Sequence, residues 1–168
     1  MKATTLLATL GLVITLGTNI ASAQDISAFD AMPGDTARNA LFVELSTGLG
    51  TDRRAASLAL NYEYQVDPHI SARLGVGAAV EINRDYAVGA TLGAQFNTSG
   101  DHRFEGGVGV SVLYGGVGEI HSYAYSVAPA ANMGYRFQPV SGGLVFRLGF
   151  SYSYNYGFPT EASAGYSF

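Results

Sequence analysis

The feature that most constrains this chain is a two-residue hydrophobic alternation, repeated eight times between residues 39 and 168. Leu41, Val43, Leu45, Thr47 and Leu49 alternate with Phe42, Glu44, Ser46 and Gly48. The stretches Ala56 to Val66 and Ile70 to Val80 repeat the pattern on either side of Asp67-Pro68-His69, which reads as a three-residue turn. Tyr86 to Phe96, Phe104 to Tyr114, Tyr123 to Phe137, Leu144 to Tyr154 and Ala162 to Phe168 continue it. Asn97 to Asp101, Gly115 to Gly118 and Gln138 to Gly142 supply further turn-rich connectors. Period two puts successive side chains on opposite faces of a strand. Outside the first 23 residues no segment of helical period competes with it. The spacing therefore predicts eight strands, each roughly 8 to 15 residues long, joined by short connectors.

The first 23 residues follow a different rule. Lys2, the only lysine, precedes the apolar run Leu6 to Leu16, and Ala21-Ser22-Ala23 supplies the small residues of a cleavage site. Residues 1–23 thus read as a signal peptide, with an uncleaved N-terminal anchor as the alternative. Residues 24–38 are polar, acidic and interrupted by Pro33-Gly34, and read as a flexible arm leading into the strands. Without Lys2, eight arginines face 13 acidic residues, a net charge of −5. That balance offers no basic surface for nucleic acid. The absence of cysteine excludes disulfides and thiolate metal sites.

Alternation does not by itself say which face meets water. A soluble barrel with an apolar inside and a membrane barrel with an apolar outside share the same period. Charged residues make up 13% of the chain, against about 25% in an ordinary soluble domain. The second stripe is mostly Gly, Ser, Ala, Asn and Thr, which suits a narrow interior better than a solvated exterior. Tyr and Phe gather near strand ends on the apolar stripe, as in Tyr62 with Tyr64, Tyr135 with Phe137 and Tyr152 with Tyr154. Aromatic girdles at the two membrane interfaces have that distribution. The strands match the roughly 9 to 11 residues a tilted strand needs to cross hydrocarbon. A closed barrel also leaves no backbone group unpaired in lipid. The expected fold is all-β: an eight-stranded antiparallel up-and-down transmembrane β-barrel over residues 39–168.

With these stripes and with the ending Ala162-x-Ala164-x-Tyr166-x-Phe168, the chain resembles the small eight-stranded outer-membrane proteins of Gram-negative bacteria, of the OmpA membrane-domain and OmpW-like kind. The resemblance implies a bacterial outer-membrane location after export and signal-peptide cleavage, with outer-membrane lipids as surroundings. It also implies that Tyr166 and Phe168 form the terminal aromatic signal read by the outer-membrane assembly machinery. With an even strand number both chain ends share one side, expected to be the periplasm. The arm at 24–38 and the connectors near 67–69, 97–102 and 138–142 are then periplasmic. Those near 50–55, 82–85, 115–121 and 155–160 are external and short for the class, with Gly115 to Ser122 and Asn155 to Thr160 as the expected contact surfaces.

Strand parity assigns Glu44, Glu63, Arg73, Glu81, Glu105, Arg136 and Arg147 to the inner stripe, with Asn61, Gln95 and Asn132. Eight strands leave an interior that side chains can fill, and a buried charge is costly unless paired. Counting across the turn sets Glu63 opposite Arg73. Arg147 has two candidate partners, Glu105 across the lumen and Glu44 across the last strand. The expectation is a lumen plugged by Glu44, Glu63, Arg73, Glu105, Arg136 and Arg147; the alternative is a thin hydrated path lined by separate charges. No catalytic, cofactor or metal site is expected. His69 and His102 fall in turns at one end and His121 in a connector at the other. His121 and Ser122 are neighbours, but neighbours on a strand point to opposite faces. Gly106-Gly107-Val108-Gly109 lacks the following helix of a phosphate loop. The functional expectation is a non-enzymatic, porin-like protein with a structural role in the cell envelope. The alternatives are a narrow channel for small or apolar solutes and, third, a lipid-modifying barrel enzyme.

Overall fold

In the computed structural model, residues 37–49, 54–81, 86–115, 124–153 and 158–168 are described. They form eight strands: β1 Asn39–Leu49, β2 Arg54–Asp67, β3 Ile70–Glu81, β4 Tyr86–Asn97, β5 His102–Gly115, β6 Ala124–Phe137, β7 Gly143–Ser153 and β8 Pro159–Ser167. Each pairs antiparallel with its sequence neighbours, and β1 pairs with β8, closing the barrel. The closing seam aligns Leu41 with Tyr166 and Glu44 with Ser163. Beyond it, the amides of Asn39 and Phe168 each donate to the other's carbonyl, at 2.9 and 2.8 Å. The expected signal peptide, most of the arm and the residues Tyr123 and Tyr154 lie outside the described residues. At the end of the arm, the Ala37 amide donates to the Val140 carbonyl, and the Arg38 carbonyl accepts from the Gln65 amide.

The two stripes face as the alternation requires, and their polarity is reversed relative to a soluble core. Leu45, Leu92, Val127 and Leu148 are each more than 60% exposed on the outside. Among the described residues, fourteen polar or charged side chains are buried but only five apolar ones: Ala40, Phe42, Ala87, Ala128 and Val145. An apolar exterior of this extent on a closed barrel matches a lipid-facing surface. Aromatic side chains meet at both ends of that surface. Phe104 and Tyr135 pack edge to face near the start of β1, and Tyr114 packs at a tilt against Tyr125 near the opposite end.

Three local readings require correction. The β2–β3 connection is not the expected three-residue turn. Asp67 pairs with Ile70, only Pro68 and His69 form the turn, and Val66 is bulged out of the ladder. The bulge adds the residue that the tighter turn removes, so Gln65 still faces Ser71 and Glu63 still faces Arg73. The Asp67 side chain holds this turn by accepting from the His69 amide at 3.1 Å. His102 is not in a turn: it opens β5 opposite Phe137. Several connectors are shorter than expected, because Arg54 and Ala55 belong to β2, Gly115 to β5, and Pro159 and Thr160 to β8. Ladder pairs such as Gly48 with Pro159 extend the sheet past the point where the apolar stripe stops. The rest of the two expected contact surfaces, residues 116–122 and 155–157, lies outside the described residues.

Glycine allows two of the tight connections. Gly100 and Gly142 adopt φ of 94° and 88°, a region that side chains with a Cβ rarely enter. The same two connectors are held further by the Thr98 hydroxyl, which accepts from the Phe104 amide, and by the Asp101 carboxylate, which accepts from the Val140 amide.

Candidate functional site

The six charges expected in the lumen sit on six different strands. β1 supplies Glu44, β2 Glu63, β3 Arg73, β5 Glu105, β6 Arg136 and β7 Arg147. Cross-strand register brings Arg103, Arg136 and Arg147 side by side on β5, β6 and β7. Like charges directly opposite one another destabilise a sheet. The carboxylates that offset them arrive from elsewhere on the barrel wall.

Glu63 is one hub. It accepts from Arg73 Nε at 3.0 Å, from the Ser71 hydroxyl at 2.6 Å, and from both terminal nitrogens of Arg136 at 2.6 and 2.9 Å. The Arg136 contact is a two-pronged guanidinium–carboxylate pair, the geometry that suits arginine in a desolvated setting. Glu105 is the second hub. It accepts from Arg147 Nε at 2.7 Å and also from Arg147 Nη2, with Arg136 Nε at 3.5 Å and Arg73 Nη2 at 3.6 Å. Glu44 closes the set by pairing with Arg147 Nη1 at 3.2 Å, and Asn61 donates to the same carboxylate oxygen at 3.4 Å. All six residues expected in the lumen therefore meet in one network of three arginines and three glutamates. Arg147 meets both of its candidate carboxylates.

Two participants were not anticipated. Phe42 is 1% exposed, and its ring lies 5.2, 5.7 and 4.8 Å from the guanidinium carbons of Arg73, Arg136 and Arg147. Three cations around one ring use its negative face as a further, uncharged partner. Arg103 is buried beside Arg136 and donates to the Gly100 carbonyl at 2.6 Å. The alternation contained the signal for both, since Phe42 shares the parity of Glu44, and Arg103 that of Glu105.

The network lies close to the end where β1 begins and β8 ends, with the turns at 68–69, 98–101 and 138–142. On its other side the lumen opens into a cavity of about 200 Å³ bordered largely by small residues, among them Gly77, Gly89, Gly109 and Ala130. Of the histidines, His69 is exposed and bonds to the Asn97 carbonyl through Nδ1 at 3.0 Å, and His102 is exposed on the outer wall, where Nδ1 meets the Tyr135 hydroxyl. His121 lies outside the described residues. Tyr166 is 56% exposed on the outer face, and Phe168 ends the seam with β1.

A closed eight-stranded antiparallel barrel with an apolar outside and a charged, filled inside defines the fold of the small outer-membrane barrels. Solved structures share the barrel fold. The N-terminal β-barrel domain of Pseudomonas aeruginosa OprF aligns with a TM-score of 0.59 at 11% identity, covering 78% of this chain and 98% of that one. Neisserial surface protein A (NspA) aligns with a TM-score of 0.57 at 12% identity, covering 77% of this chain and 94% of that one. At these identities the likeness is one of fold. No protein-family model and no curated protein sequence matches the chain.

Proposed function

We propose that this protein is an integral barrel of the bacterial outer membrane with a non-enzymatic, structural role in the envelope, its lumen closed by the arginine–glutamate network. The observation that carries the reading is the joint one of surface and interior. The outer wall exposes apolar side chains around its circumference, while Glu63, Arg73, Glu105, Arg136 and Arg147 are buried inside and mutually paired. The exterior suits lipid. The interior suits a bolt rather than a pore, because moving an ion or solute through would separate buried pairs whose individual rupture costs about 3–5 kcal/mol. On this reading the chain is exported by way of residues 1–23. The outer-membrane assembly machinery takes hold of the last strand through Tyr166 and Phe168. The end where β1 begins and β8 ends faces the periplasm.

Planar-bilayer recording tests the closed lumen. Purified barrel reconstituted at known orientation is expected to give no steady conductance above the lipid background. A large, persistent conductance from the wild-type protein would refute the bolt and favour a channel. Heat-modifiable migration on a gel, from a fast folded band to a slow unfolded one, tests the barrel in the same preparation.

A further inference from the structure

The cavity on the far side of the network has a wall chemistry that the bolt does not use. We propose that it is a binding site for a small organic cation rich in N–H donors, of the class of short aliphatic amines.

The charged side chains that border it are two carboxylates and one guanidinium. Glu44 and Glu161 both border the cavity, on the adjacent strands β1 and β8. Glu44 lies opposite Ser163, so Glu161 is its diagonal neighbour on the inner face, within reach of the same ligand. Arg73, the one cationic residue bordering the cavity, is held by Glu63 and Glu105. The arginines Arg73, Arg136 and Arg147 are matched by Glu44, Glu63 and Glu105, three against three. Glu161 is a further carboxylate of the lumen. Ser151 hydrogen-bonds to it, but among the described residues no arginine comes within ion-pairing distance. Glu161 thus borders the cavity as a carboxyl group without an ion-pair partner among the described residues.

The second observation comes from the opposite wall. Gln95, Gly107 and Asn132 face one another in a row across β4, β5 and β6. A Cβ at position 107 would collide with both amides, so glycine there lets them converge. Gln95 is only 4% exposed, yet its Oε1 has no hydrogen-bond partner, and neither has Asn132 Oδ1. Buried carbonyl oxygens without a donor are uncommon, because each forfeits its solvation without recompense. Both line the same cavity as Glu161. The ring order of the strands puts β8 and β1 across the barrel from β4 and β5. The space between therefore has a carboxylate on one side and two idle acceptors on the other. An ammonium group brings three donors, no acceptor and a positive charge. The volume of about 200 Å³ exceeds that of an engineered cavity of about 150 Å³ that holds benzene, so an amine with a few carbons fits.

Titration of micelle-embedded barrel with 1,3-diaminopropane at constant ionic strength, followed by amide chemical shifts, tests the site; 1,3-propanediol is the comparison of like shape without charge. Saturable shifts at Thr91, Ser111 and Ser163 are expected with the diamine and none with the diol. Glu161→Gln is expected to weaken binding at least tenfold and Asn132→Ala by several-fold, both with the folded band retained on a gel. Absence of saturable shifts, equal response to the diol, or undiminished binding by Glu161→Gln would each overturn the proposal. Should neither variant fold, the diamine–diol comparison in the wild-type barrel decides alone. The readout is binding, so its outcome is independent of whether the lumen conducts.

Discussion

Replacing Arg136 by methionine is the most direct probe of the network. Arg136 is 1% exposed and contacts both hubs, Glu63 through two short bonds and Glu105 at 3.5 Å. Methionine keeps much of the volume and removes the charge. Breaking a buried pair from one side costs about 3–5 kcal/mol, chiefly because the surviving charge stays buried. Here Glu63 retains Arg73 and Ser71, and Glu105 retains Arg147, so neither carboxylate is left bare. Relief of the crowding between Arg136 and its neighbours Arg103 and Arg147 offsets part of the loss. The expected cost is therefore at the lower end, about 3 kcal/mol. Urea unfolding in lipid vesicles, followed by far-ultraviolet circular dichroism because the chain has no tryptophan, measures it. Arg38→Ala is the control: Arg38 is exposed and forms no ion pair among the described residues, so a change within about 0.5 kcal/mol is expected. Adding Glu63→Gln to Arg136→Met should recover part of the loss, since it returns the network to two arginines against two glutamates. Equal midpoints for Arg136→Met and Arg38→Ala would refute the reasoning, as would strict additivity in the double variant.

Three further outcomes are expected. Leu92→Arg, in the middle of β4 at a position 64% exposed, should destabilise the barrel in vesicles by about 2–4 kcal/mol, and a neutral result in urea unfolding would count against a lipid-facing wall. Phe42→Leu removes the ring shared by three guanidinium groups and leaves a partial void, with a loss of about 2 kcal/mol; a change no larger than that of Arg38→Ala would show the ring to be mere filler. Gly149→Val places a Cβ 2.6 Å from the Met133 carbonyl oxygen, which is backbone and cannot swing away, so the yield of the fast-migrating folded band should fall sharply; wild-type yield would show that the wall can yield there.

The sequence by itself determined the strand number, the membrane-type polarity and the inward side of the six network charges. These follow from a period of two and from the size of the residues on each stripe, and both are local properties. Even the Glu63–Arg73 pairing was legible, because a short turn fixes the register of the strands it joins, and the Val66 bulge left that register intact. Glu161 and Arg103 were missed for a related local reason: each lies just before the apolar stretch that marked its strand, beside residues that read as connector. What the tertiary structure decided was the company of each charge. Arg136 and Glu63 are 73 residues apart and share no turn or ladder, so only closure of the ring brings them to 2.6 Å. The same closure surrounds Phe42 with three arginines and sets Glu161 across from two idle amides. Parity says that a side chain points inward; which partner it meets there depends on barrel stagger and diameter, which no single strand encodes.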